Sequence, residues 1–135
     1  MTVSELIILL VEDNPGDVYL VREALAETGI AHRLHRVEDG QSAIEFLEEN
    51  RHNGMPDLVI LDLNLPRKNG RQVLAEMQRS DRLRDIPVAV FTTSRSEIGI
   101  VREFPLIRST FAAKTADFGE LVEIMRQFQE FARAS

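Results

Sequence analysis

The sequence predicts an α/β fold: a doubly wound sheet of five parallel strands with helices on both faces. Three observations lead there. Short apolar runs alternate five times with longer segments of helical periodicity, the signature of repeated strand-helix units. Most of these runs are β-branched or leucine-rich and nearly continuous in apolarity, as strands covered on both faces should be. A length of 135 residues suits one domain and is short for two, so residues 1–135 are expected to form a single unit.

The first strand is Leu6–Val11. No basic segment precedes it and it runs straight into Glu12 and Asp13, so it fails as an export signal and reads as a buried strand. The first helix has a clear start: Asn14 caps it, Pro15 suits the first helical position, and Asp17 places a negative charge in the first turn. It should run to about Thr28 and stop at Gly29, with Val18, Val21, Ala24 and Leu25 on the face that packs on the sheet. The second strand is placed at 33–37 and, after an Asp39-Gly40 turn, the second helix at 41–49. The third strand is Leu58–Leu61 and, beyond Pro66, the third helix is Gly70–Arg79.

A fourth strand at 88–91 leads to a helix that begins with Ser94 and Glu97, spaced as a capping box requires, and that Pro105 must end. The fifth strand is placed at 110–113 and the fifth helix at 118–133. The stripe Leu121, Ile124, Met125, Phe128 and Phe131 is broad for a helix with one face in water. Right-handed crossovers then give the flavodoxin-like strand order 2-1-3-4-5, whose chemistry lies beyond the carboxyl ends of the strands. No repeat, low-complexity tract or linker is seen, and no output domain is expected beyond this unit.

Composition removes several function classes. With 44% hydrophobic and 28% charged residues, no stretch approaches the roughly 20 apolar residues of a spanning helix. The absence of cysteine excludes a disulfide scaffold and thiolate metal sites, and a cytoplasmic location is expected from the missing export signal. A net charge of −6 would repel a phosphate backbone, and basic residues are interleaved with acids, as in Arg79-Ser80-Asp81-Arg82-Leu83-Arg84-Asp85. Direct nucleic-acid binding is not expected.

Four strands end in a reactive side chain: Glu12-Asp13 after the first, Asp62 after the third, Thr92 after the fourth and Lys114 after the fifth. In a parallel sheet these converge at one end, around the switch between strands one and three. Carboxylates that close repel one another unless a cation lies among them. Oxygen-only ligation favours Mg²⁺ over zinc or copper. A carboxylate beside Mg²⁺ can attack a phosphoryl group, and Asp62 is the candidate nucleophile. Lys114 would neutralise charge on the phosphoryl oxygens and the Thr92 hydroxyl would donate a hydrogen bond to one of them. Singly, each residue has an ordinary explanation: a solvated strand end, a helix cap, a surface charge. Together, and with Asp62 set in a run of leucines where an unpaired carboxylate is costly, they point to function.

Val11-Glu12-Asp13-Asn14, Leu61-Asp62-Leu63-Asn64-Leu65-Pro66, Asn69-Gly70, Thr92 and Lys114, in this order and spacing, resemble a two-component response-regulator receiver domain of the CheY-like, single-domain kind. The runs Asn14-Pro15-Gly16-Asp17, Asp62 to Arg67 and Phe91-Thr92-Thr93-Ser94 are similar to the subgroup that partners phytochrome-type histidine kinases. The resemblance implies Mg²⁺ held by Glu12, Asp13, Asp62 and the backbone carbonyl of Asn64. It also implies phosphorylation of Asp62 by a sensor histidine kinase, and a switch formed by Thr92, Lys114 and Phe111. The face of helix four, strand five and helix five would report the switch.

Two departures from the family pattern stand out. Thr115 follows Lys114 where receivers usually have proline in a cis bond, which costs about 2.5–4 kcal/mol before any other residue, so the loop is either strained or differently routed. Phe104-Pro105-Leu106-Ile107 replaces a more usual Gly-Ala turn and predicts an apolar loop on the signalling face.

The leading reading is thus a signalling switch, not a turnover enzyme. A phosphatase of the haloacid-dehalogenase type also uses a strand-end aspartate and Mg²⁺, but needs a second aspartate where Asn64 stands, and an amide cannot carry the proton. A pseudo-receiver that binds a partner without phosphorylation is the alternative that Thr115 leaves open. A dinucleotide-binding protein would need a glycine-rich cradle where the first turn carries acids. His32 and His35 fall on opposite faces of an edge strand and, with His52, read as surface residues. The stripe on the fifth helix and the apolar loop together suggest a homodimer through the face of helix four, strand five and helix five.

Overall fold

Successive side chains of a strand point to opposite faces, so strands that are apolar at every position must be covered on both sides. The structure, a computed structural model, describes residues 5–49, 54–93, 99 and 108–134. Its strands are β1 (Leu6–Val11), β2 (His32–Val37), β3 (Leu58–Leu61), β4 (Val88–Thr92) and β5 (Ser109–Ala113). Its helices are α1 (Pro15–Thr28), α2 (Gly40–Glu49), α3 (Gly70–Arg79) and α4 (Phe118–Ala134), the last being the fifth helix of the sequence reading. All strands are parallel, in the order β2-β1-β3-β4-β5 that the sequence predicted. The helix predicted from Ser94 and the loop at 104–107 lie outside the described residues.

The inner strands divide the core in two. Ile8, Leu10, Leu58, Ile60, Ala89 and Phe91 face α1 and α4, where the Phe91 and Phe128 rings meet edge-on at 6.0 Å. Leu9, Val11, Val59, Leu61, Val88 and Val90 face α2 and α3. Each such buried Val, Leu, Ile or Phe side chain stabilises the fold by roughly 1.5–3 kcal/mol relative to exposure. Coverage on both faces holds for β1, β3 and β4 but not for the edges: β2 and β5 mix exposed and half-buried positions, and Ser109 and Phe111 are exposed. Most of the α4 stripe is core. Leu121, Met125 and Phe128 are buried, and Ile124 and Phe131 pack partly buried against them.

The helix starts follow local chemistry. Asn14 Oδ1 accepts from the Asp17 N–H at 3.0 Å, with Pro15 opening α1 and Gly29, at φ 72°, ending it. A capping box opens α3. The Asn69 side chain accepts from Gln72 N at 3.0 Å, while Gln72 Oε1 accepts from Asn69 N at 2.9 Å.

Candidate functional site

Strand register aligns the reactive ends. Val11 of β1 pairs with Leu61 of β3, so Glu12 and Asp62 emerge side by side; Thr92 of β4 pairs with Ala113 of β5, so Lys114 is the next residue out. The Lys114 N–H donates to the Thr92 carbonyl at 2.8 Å, which prolongs the ladder to the rim of the site. Glu12, Asp62 and Thr92 are buried and Asp13 is exposed. Carboxylate oxygens of Glu12, Asp13 and Asp62 lie within 4.8 Å of one another.

Lys114 enters this acidic cluster. Its Nζ donates to Glu12 Oε1 at 2.5 Å, to Asp17 Oδ2 at 2.9 Å and to Asp62 Oδ2 at 3.2 Å. The backbone adds further donors: Asn64 N–H to Asp62 Oδ1 at 3.2 Å and Asn14 N–H to Glu12 Oε2 at 3.2 Å. Arg36 fixes the acidic pair from behind, donating to the Glu12 carbonyl at 3.0 Å and the Asp13 carbonyl at 3.3 Å. A polar cleft of about 420 Å³, lined by Leu63, Asn64, Leu65, Asn69 and Arg71, lies along the loop after Asp62.

The electrostatics follow from this crowding. Burial pushes the Glu12 carboxyl up to about 7; its hydrogen bond to Lys114 opposes the rise and the Asp62 charge adds to it. For Lys114 burial acts downward, but hydrogen bonds to Glu12 and Asp17 and the charge of Asp62 outweigh it and hold the ammonium above the usual lysine range. Three oxygen-only carboxylates gathered so closely fit a hard divalent cation, which would relieve the same repulsion.

Of the residues predicted from sequence, Glu12, Asp13, Asp62 and Lys114 come together, Thr92 ends the adjoining strand, and Asn64 touches Asp62 through its N–H. Phe111 lies 36% exposed on the edge strand β5. The chain after Lys114 takes a different route: no peptide bond among the described residues is cis. Thr115 Oγ1 instead donates to Glu120 Oε2 at 2.8 Å and accepts from Asp117 N at 3.1 Å, tying the loop to the first turn of α4. Lys114 reaches the pocket by this path, so the departure at Thr115 does not displace it. Asp17 and Arg36 were not foreseen as part of the site. For Asp17 the available signal was its position one turn into a helix that starts at the rim of the sheet.

A sequence model described as the response regulator receiver domain matches residues 8–126. The chain belongs to the response regulator receiver family. Receiver domains bind a divalent metal and interact with sensor kinases, and this receiver has the acidic cluster for the first of these tasks. It is 38% identical over 128 residues to the response regulator Rcp1 of Synechocystis sp., covering 93% of this chain and 87% of that protein. The crystal structure of the phosphorylated cyanobacterial phytochrome response regulator RcpA superposes with a TM-score of 0.82 at 38% identity, over 96% of this receiver and 95% of that chain. The Mn²⁺-bound form of Rcp1 gives a TM-score of 0.78 at 38% identity, over 93% and 92% of the two chains.

Proposed function

We propose that this receiver is a phosphorylation switch in which Asp62 accepts a phosphoryl group from a histidine kinase with Mg²⁺ as cofactor. The observation that carries it is the meeting of Glu12, Asp13 and Asp62 within 4.8 Å, with the Lys114 ammonium 3.2 Å from Asp62. Asp62 forms the new P–O bond as the P–N bond of the kinase phosphohistidine breaks. Glu12, Asp13, Asp62 and the Asn64 backbone carbonyl would hold Mg²⁺, which supplies charge neutralisation and orientation of the phosphoryl oxygens. Lys114 offers a second positive charge to those oxygens, and the Thr92 hydroxyl a hydrogen bond.

The switch then follows from local charge. Drawing Thr92 towards the phosphoryl group opens space for Phe111, whose ring is partly exposed in this structure. Similarity to RcpA supports a phytochrome-type kinase as the partner. A second copy of the chain is the other proposed partner, through the face of β5 and α4. The chain works as a single receiver unit whose output is its surface, not sustained turnover.

The test is incubation with Mg²⁺ and acetyl phosphate, followed by intact mass. One phosphoryl adduct is expected, absent from Asp62→Asn and abolished by chelator. An adduct that persists in Asp62→Asn would move the acceptor elsewhere.

A further inference from the structure

The Lys114 ammonium touches one carboxylate more than the metal-binding triad supplies. Glu12 and Asp62 belong to that triad, but Asp17, whose Oδ2 lies 2.9 Å from Lys114 Nζ, does not. Asp17 stands in the first turn of α1, where the Asn14 side chain accepts its N–H at 3.0 Å, so its backbone is fixed independently of the lysine. A first-turn acid favours the helix dipole from any outward rotamer; here the side chain is instead turned onto a 12%-exposed ammonium.

Glu12 and Asp62, two of the three carboxylates that hold the ammonium, would be drawn on by a divalent cation in the triad, whose like charge would repel the ammonium. Asp17 is the partner that remains. We infer that Asp17 is a positioning residue: it keeps the flexible Lys114 side chain at the rim of the pocket while the triad is engaged, so that the ammonium is in place for the oxygens of a phosphoryl group on Asp62. The inference rests on the reading of Asp62 as acceptor and adds a residue to the same site.

Two readouts on wild type, Asp17→Asn and Asp17→Glu test it. The first is the rate at which an amine-acylating reagent modifies Lys114, read by peptide mass in saturating Mg²⁺ and in EDTA. With Mg²⁺, Asp17→Asn should raise that rate by about threefold or more, and Asp17→Glu should return it towards wild type. In EDTA, where Glu12 and Asp62 also hold the ammonium, the change should be smaller. The second is phosphorylation by acetyl phosphate, where Asp17→Asn should lower the maximal rate several-fold while leaving half-saturation by the donor unchanged. Equal Lys114 reactivity of wild type and Asp17→Asn in Mg²⁺, or no recovery in Asp17→Glu, overturns the inference. Failure of wild type to form any adduct would count against Asp62 as acceptor, while the labelling would still judge Asp17.

Discussion

Burial pushes the Glu12 carboxyl up to about 7, against an ordinary glutamate value of 4.5, and this gives the site a pH dependence of definite sign. A carboxyl whose folded value is raised adds stability below 4.5 and loses it as pH climbs through 7. Without metal, the protein should therefore lose on the order of 1–3 kcal/mol between pH 5 and pH 8 in urea titrations, and Glu12→Gln should flatten that slope. Because metal ligation needs the carboxylate, Mg²⁺ binding should release a proton near neutrality, measurable as a buffer-dependent heat in calorimetry. A slope unchanged by Glu12→Gln would mean that another group titrates. The candidate triad was legible in the sequence because parallel strands must bring their carboxyl ends together. Asp17 was not, because its helix-cap role explained it fully until Lys114 was seen beside it. Arg36 was hidden for a similar reason: in a polar edge strand an arginine is unremarked until its guanidinium is found on two backbone carbonyls.

The loop between β3 and α3 is held to its neighbours by contacts that pattern alone does not reveal. Arg67 has a left-handed backbone, φ 63°, which is costly for a residue with a Cβ. It is secured by Asp39, whose Oδ2 accepts from Arg67 Nε at 3.1 Å. The Asp39 carboxyl is held below its usual value chiefly by the Ser42 backbone N–H, with Arg67 adding to the effect. A lowered acid contributes stability above its ordinary value of 3.8 and loses it as pH falls. Arg67→Ala should lower the urea midpoint at pH 7, with the gap to wild type closing as pH falls below 3.8; Arg67→Gly, which relieves the backbone strain, should cost less. Close approach governs Gly70, where an added Cβ would sit 2.6 Å from the Asp62 carbonyl oxygen. Gly70→Ala must shift the backbone of Asp62, so it should weaken divalent-ion binding, measured by titration, more than Arg67→Ala does. Equal affinities would show that the loop absorbs the Cβ without moving Asp62.

For the whole molecule, the inner strands explain why the fold was readable. LIILLV, LVIL and VAVFT can be satisfied only between two helical layers, which leaves few topologies for a chain of alternating units. The edges carried less information: HRLHRV and STFAA pair on one side only, so their sequences need not be apolar throughout, and their bounds ran one residue beyond the predicted strands at the N-terminal end. The same edge bears on assembly. The α4 stripe that suggested a dimer is mostly spent on the core beside α1; among the described residues, the rings left exposed on β5 and at the start of α4 are Phe111 and Phe118. Two exposed rings are a modest apolar surface, and a dimer resting on them should be weak unless phosphorylation reshapes the face. Light scattering should then give the monomer mass in EDTA and a larger mass with Mg²⁺ and beryllofluoride, and Phe111→Ala should abolish the increase. An invariant monomer under both conditions would remove the second copy as a partner and leave signalling to the kinase and a downstream target. A dimer already formed in EDTA would mean that the face assembles without the switch.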